Sequence, residues 1–292
     1  MNFGFTTRFA PSPTGEMHLG NAYSALFAYK RADKSRGGNF LLRIEDIDSS
    51  RCKSKFETSI LVDLEWLGIS SDTTIRRQSE HLDDYALAVK KLKNQGLIYP
   101  CFCSRSDINA INNAPHKSRI TVYPGTCRNL DRSEIVDKIS VGKNYSLRLD
   151  VKESLNRLGK ITWYDRKKGL QAVKPELFGD IIIARKDTPT SYHLAVTVDD
   201  HLQNINLVTR GDDLEPSTGI HRILQKLLGF SEPEYEHHKL IFDNDGERLS
   251  KRNKSATISS LRSSGIPSYQ LIEALLDGND ERLLDLLDRT AE

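Results

Sequence analysis

Two short segments carry residue types suited to gripping polyphosphate. The first, Pro11-Ser-Pro-Thr-Gly-Glu-Met-His18-Leu-Gly20-Asn21, joins a Pro/Gly turn to a histidine donor. The second, Arg248-Leu-Ser250-Lys251-Arg252, lies about 230 residues downstream and offers a hydroxyl beside cations. A helix that begins just after a tight turn presents unpaired backbone N–H groups, an anion site in itself. His18 on one side and Ser250 with Lys251 on the other would close a clamp on the phosphates of one nucleotide.

The elements needed to hold that clamp follow from periodicity. Phe3 to Phe9 reads as a strand, and Asn21 to Arg31 as a helix with apolar residues at helical spacing. A strand at Phe40 to Ile44 and amphipathic helices over Lys55 to Leu67 and Leu82 to Gln95 continue the alternation, which favours a parallel sheet with crossover helices. From Tyr99 to about Lys186 the character changes to Cys, Pro and Gly punctuation with strand-like stretches at Tyr145–Val151, Lys160–Tyr164 and Asp180–Ala184. A second α/β half follows, with strands at Ile205–Thr209 and near Glu236–Phe242 around a helix from Thr218 to Leu228. Ile258 to Leu287 is helical in pattern. The expected division is 1–98 and 187–245 as two halves of a catalytic domain, 99–186 as an insertion, and 246–292 as the Ser-Lys loop with a helical tail.

The insertion contains a second chemistry-bearing group. Cys101 and Cys103, followed by Tyr123 and Cys127, offer three thiolates and a phenol, and such spacing in a reducing compartment points to metal rather than disulfides. Residue chemistry alone leaves the fourth position open to Tyr123, His116, Cys52 or water. A closed set of this kind would be structural. Composition narrows the remaining classes: 292 residues with a 38% apolar fraction allow one large core plus an inserted subdomain. No membrane-length apolar run and no signal-peptide pattern occur, so a cytoplasmic location with no membrane contact is expected, and no obligate protein partner is evident. A net charge of +2 argues against indiscriminate coating of nucleic acid, though Arg166-Lys167-Lys168 and Arg248 to Lys254 form local basic runs.

The paired segments resemble the two signatures of class I aminoacyl-tRNA synthetases, written here His18-Leu19-Gly20-Asn21 and Arg248-Leu249-Ser250-Lys251-Arg252. Arg8-Phe-Ala-Pro-Ser-Pro-Thr-Gly15, Arg43-Ile-Glu45-Asp46-Ile-Asp48 and Tyr192-His-Leu-Ala-Val-Thr-Val-Asp-Asp200-His201 narrow the resemblance to the glutamyl and glutaminyl branch, from Phe3 to about Ser255. The departures are Asn21 in place of the second histidine and arginines at both ends of the second signature. The resemblance implies an α/β fold: a class I synthetase Rossmann-type parallel sheet, an inserted zinc-containing α+β subdomain and a short helical C-terminal segment. It also implies an ATP-dependent ligase that activates L-glutamate without tRNA.

In that reading His18, Ser250 and Lys251 are catalytic, and His18, Gly20, Asn21 and Lys251 bind ATP, which arrives with Mg2+. Glutamate carries two carboxylates and an ammonium, so its pocket requires about two cations and one acid, a set that Arg8, Arg210 and Glu45 can supply. By the resemblance Arg8, Ala10, Ser12, Glu45, Tyr192 and Arg210 line the amino-acid site, and Cys101, Cys103, Tyr123 and Cys127 hold structural Zn2+. Asp46, Asp48, Asp199 and Asp200 read as orienting groups rather than ligands. No room for an anticodon-reading domain follows the second signature, as in the truncated branch of the family that places glutamate on queuosine in the anticodon loop of tRNA(Asp). Val196, Gly211 to Thr218 and the Cys/Tyr set resemble that branch as well. The alternatives are a glutamate ligase with another acceptor, either an ordinary tRNA end or a small amine, and a catalytically silent RNA-binding paralogue. For RNA contact, Trp163, Tyr164, Arg166 and the second signature loop are the candidates.

Overall fold

A computed structural model describes residues 4–104, 106–108, 122–185, 188–241, 257–277 and 283. The chain forms two compact units. The first comprises residues up to Glu80 with Asn204–Asp213 and Pro233 onward; the second comprises His81–Gln203 with Leu214–Glu232. These units group residues 81–98, 188–203 and 214–232 with the inserted stretch.

In the first unit, β1 (Thr6–Phe9), β2 (Asn39–Ile44) and β3 (Arg76–Arg77) form a parallel sheet in that order, with Arg8 opposite Leu41. The crossover from β1 to β2 is α1 (Leu19–Arg31), and from β2 to β3 it is α2 (Ser54–Trp66). A parallel arrangement buries both faces, which is why β2 reads Asn-Phe-Leu-Leu-Arg-Ile, with every residue after the first buried. A second parallel pair, β9 (Leu207–Gly211) and β10 (Glu234–His238), starts beside β1. The Asn206 carboxamide oxygen accepts from the Thr6 N–H at 2.8 Å, and the Asn206 N–H donates to the Thr6 carbonyl at 3.2 Å. Two short helices, α8 (Ile258–Ser263) and α9 (Ser268–Asp277), form the described part, 258–277, of the single helical tail expected over 258–287. The run breaks at Ser264-Gly265-Ile266-Pro267, where Gly265 adopts a positive φ of 76° and Pro267 cannot continue a helix. Leu19, Phe40, Ile60, Ile258, Leu261 and Leu271 share one core, each contributing roughly 1.5–3 kcal/mol by burial.

The second unit contains an antiparallel sheet of β4 (Ile98–Cys101), β5 (Ser146–Leu149) and β8 (Ile182–Arg185), and a hairpin of β6 (Thr162–Asp165) and β7 (Gly169–Ala172). Its helices among the described residues include α3 (Leu82–Asn94), α4 (Arg132–Ser140), α5 (Val151–Leu158), α6 (Tyr192–Leu202) and α7 (Glu215–Leu228). The strand expected to run to Val151 stops at Leu149, because the Asp150 carboxylate accepts the Glu153 N–H at 2.9 Å and starts α5. Asp180 organises the sheet's base, accepting from Tyr99 Oη at 2.5 Å, Arg128 Nε at 2.7 Å and the Val151 N–H at 3.0 Å.

Candidate active site and metal centre

His18 is the N-cap of α1, with extended backbone. Its Nδ1 accepts the Gly20 N–H at 3.1 Å, so the neutral ring carries its proton on Nε2. Asn21 completes a reciprocal cap, its side-chain oxygen accepting the His18 N–H at 3.3 Å. The helix therefore starts two residues before the expected Asn21, and Asn21 shapes the turn as its third residue. His18 is also bridged antiparallel to Thr257, and the Ile258 N–H donates to the Met17 carbonyl at 2.9 Å. Thr257 in turn caps α8 through the Ser260 N–H. Ser250 and Lys251 lie outside the described residues, but Thr257 fixes the point at which the chain returns from them.

Arg8, Glu45 and Arg210 stand at the C-terminal ends of β1, β2 and β9, where open parallel sheets bind ligands. Arg8 is buried, and its Nη1 donates to the Thr209 carbonyl at 3.0 Å, one residue from Arg210. Arg210 Nε donates to His237 Nε2 at 3.3 Å, across the register of the β9–β10 pair, and its guanidinium stands 5.6 Å from the Tyr235 ring centroid. Glu45 Oε1 lies 3.3 Å from Nη2 of the fully buried Arg43. The Glu45 N–H donates to the Pro11 carbonyl and the Lys53 N–H to the Pro13 carbonyl, each at 3.0 Å, so the turn carrying Ala10 and exposed Ser12 is strapped to the end of β2. Asp46 accepts from the Ser79 N–H and hydroxyl, Ser50 and Arg51 hold the Asp48 carboxyl down at about 2, and Asp199 accepts from Tyr85 Oη at 3.0 Å. Cys52 Sγ donates to the Glu45 carbonyl at 3.8 Å.

In the second unit Tyr192 opens α6, capped by Ser191. Its ring stands edge-on to His193 and His221 at 5.3 and 5.9 Å, and these two histidines meet at 3.2 Å. Cys101, Cys103 and Cys127 bring their Sγ atoms within 4.8 Å of one another. Tyr123 Oη lies 3.2 Å from Cys101 Sγ and 3.8 Å from Cys103 Sγ, and Cys103 and Cys127 sulfurs are 3.6 Å apart. Zinc–sulfur bonds of about 2.3 Å give tetrahedral edges of about 3.8 Å, so this donor set fits zinc. The Cys127 N–H donates to the phenol oxygen at 2.9 Å and the Arg148 guanidinium lies 3.9 Å over its ring, while burial and the Cys101 thiol push the phenol well above its ordinary range. Burial pushes the Cys103 thiol up to about 11, aided by Cys127. Burial also pushes Cys101 up, but Tyr123 and Arg148 outweigh it and hold that thiol below its ordinary value. Tyr123 pairs with Gly179, whose φ of +59° and the 2.5 Å approach of Val122 Cγ1 to any added Cβ demand glycine. Among the alternatives for the fourth ligand, His116 lies outside the described residues and Cys52 belongs to the first unit.

With this geometry in hand, the model for the catalytic domain of class I tRNA synthetases (E and Q) matches residues 5–278. The chain belongs to that family. It is 42% identical over 268 residues to the glutamyl-Q tRNA(Asp) synthetase of Rhodobacter capsulatus, covering 89% of this chain and 95% of that one. It is 38% identical over 260 residues to the glutamate–tRNA ligase of a Hydrogenobaculum species, covering 89% of this chain and 55% of that one. A solved glutamate tRNA ligase from Elizabethkingia meningosepticum, in complex with its amino acid, superposes with a TM-score of 0.72 at 30% identity, covering 85% of this chain and 52% of that one. The chain thus spans about half the length of the glutamate–tRNA ligases it matches.

For a class I synthetase of this branch, the residues the sequence missed are supports. His237 beside Arg210 and Thr257 against His18 carry no motif of their own, and only strand pairing brings them in. One expectation fails. Trp163 is 5% exposed, so it packs inward and offers no ring for a base, whereas Tyr164 on the opposite face is 47% exposed. No helix among the described residues is long and apolar enough to cross a membrane.

Proposed function

We propose that the protein activates L-glutamate with ATP, independently of tRNA, and transfers the glutamyl group to queuosine in the anticodon loop of tRNA(Asp). The observation carrying this reading is the placement of Arg8, Glu45 and Arg210 on three strand ends of one unit, matching the charge pattern of glutamate. The two guanidiniums take the carboxylates, Glu45 takes the ammonium, and Ala10 and Ser12 complete the part of the pocket that the first unit supplies. The α-carboxylate then attacks the α-phosphorus of ATP in line, forming the mixed anhydride and releasing pyrophosphate.

His18 donates from Nε2 to the phosphates, Gly20 and Asn21 shape the helix start against them, and Lys251 with Ser250 stabilises the leaving pyrophosphate. Mg2+ bound to ATP supplies further charge neutralisation. A hydroxyl of the acceptor next attacks the activated carbonyl, and AMP departs. Cys101, Cys103, Tyr123 and Cys127 hold a structural zinc that ties the loops of the second unit. The acceptor assignment draws on the 42% identity to a protein named for that reaction.

Comparable identity to glutamate–tRNA ligases favours a second reading, transfer to an ordinary tRNA end. Radiolabelled glutamate with ATP, supplied with tRNA(Asp) with and without queuosine and with tRNA(Glu), separates them. Label on queuosine-containing tRNA(Asp) alone supports the first reading. Label on tRNA(Glu) supports the second, and label on neither, with no glutamate-dependent pyrophosphate exchange, refutes both.

A further inference from the structure

The β6–β7 hairpin has two unlike faces. Trp163 and Asp165 point inward, 5% and 0% exposed, while their alternates Tyr164 and Leu170 lie opposite each other in register and are 47% and 69% exposed. Between Lys160 and Lys174 the chain carries five cations, Lys160, Arg166, Lys167, Lys168 and Lys174, against one carboxylate, Asp165. That carboxylate is consumed inside the turn, where it accepts the N–H groups of Lys167 and Lys168 at 2.8 and 2.9 Å. The turn is thereby fixed with exposed Arg166 and Lys167 at its tip, Lys168 reaching Glu215, and Lys160 and Lys174 at its base.

An exposed tyrosine beside a leucine, bracketed along the strand by cations, has the composition of a single-strand platform. A base stacks on the ring, and the phosphates on either side meet the charges. An acidic peptide would use the charge but leave the exposed tyrosine and its leucine neighbour without a purpose. We propose that the outward face of this hairpin binds single-stranded RNA, with one unstacked base on Tyr164 and flanking phosphates on Arg166 and Lys167. If the acceptor is a tRNA loop, as proposed above, this face grips the strand next to the glutamylated nucleoside; that refinement rests on the reading of the acceptor.

The test uses the full chain and a fluorescein-labelled 12-nucleotide single-stranded RNA, with binding followed by anisotropy at several salt concentrations. Tyr164→Ala should weaken binding about tenfold, and Tyr164→Phe should retain wild-type affinity, because the stacked surface is the ring. Replacing Arg166 and Lys167 together by alanine should flatten the plot of log affinity against log salt by about 1.4, since each single-strand phosphate contact contributes about 0.7. Tyr164→Ala should also lower glutamate transfer to tRNA about tenfold while leaving glutamate-dependent pyrophosphate exchange within twofold. Equal RNA affinity in wild type and Tyr164→Ala, an unaltered salt slope, or a phenylalanine variant as weak as alanine would overturn the assignment. The anisotropy arm reads the surface even if no tRNA accepts glutamate, so failure of the acceptor reading and failure of this one are distinguishable.

Discussion

Asp63 on α2 is fully buried, and both its oxygens lack a hydrogen-bond partner. Its nearest countercharge is Arg262 Nη2 on α8, 3.5 Å from Oδ1. Burial raises the carboxyl from 3.8 to about 6; Arg262 pulls it back in part, and Glu16 adds to the rise. The sign follows from linkage. Well below pH 4, Asp63 is protonated in both states and contributes nothing. Between about pH 4 and 6 the unfolded chain has released the proton while the native chain retains it, so stability falls as pH rises, and above pH 6 the penalty is complete. A rise of about 2.2 pH units corresponds to about 3 kcal/mol. Asp63→Asn, a neutral group of the same shape, should therefore stabilise the protein by up to about 3 kcal/mol at pH 7.5, or about 5 °C in Tm. Paired urea and thermal melts at pH 4.5, 5.5, 6.5 and 7.5 should show the gain growing across the series and levelling above pH 6.5. A variant less stable than wild type at pH 7.5, or a gain independent of pH, would show that the Arg262 pair outweighs the burial cost.

Lys251→Ala should lower glutamate-dependent pyrophosphate exchange at least 100-fold with an unchanged melting curve, because a cation is removed where charge develops; exchange within twofold of wild type would refute its role. Metal analysis of freshly purified protein should find one zinc per chain, and Cys103→Ser should lose it and melt at lower temperature, whereas a metal-free, equally stable protein would remove the zinc centre. Asn21→Ala should cost about 1 kcal/mol by opening half of the reciprocal cap, read as a lower urea midpoint and accompanied by weaker ATP binding. Gly38→Ala would bring a Cβ within 1.5 Å of the Ala32 carbonyl oxygen, backbone that cannot swing aside; a loss of roughly 3 kcal/mol or more is expected in urea titration.

The parallel half-sheet and the three-cysteine cluster were legible because each has a local signal: buried apolar runs between turns, and close thiol spacing. The start of α1 was misjudged by two residues because histidine is outside the usual capping set, so nothing marked His18 as a cap. The α6 segment gave no helical period, since Leu194 through Asp200 are all buried and no polar face alternates with an apolar one. For β10 the apolar run near Phe242 drew the expected strand toward it. The observed Glu-Tyr-Glu-His-His strand buries its polar side chains through tertiary partners: Glu236 accepts both Nε and Nη2 of Arg31 at 2.7 Å, and His238 meets Ser24 at 3.0 Å. Such pairings join residues more than 200 positions apart, beyond the reach of any window.

The bridge between His18 and Thr257 ties together points about 240 residues apart. Closing a chain loop of that length costs about 5 kcal/mol in entropy, and the few contacts at the bridge repay this only after α8 has packed into the core. During synthesis β1 and β2 can pair as soon as they emerge, yet the ledge carrying His18 stays unbraced until Thr257 arrives. On the proposed function, competence to hold a nucleotide at His18 is therefore among the last properties the folding molecule acquires.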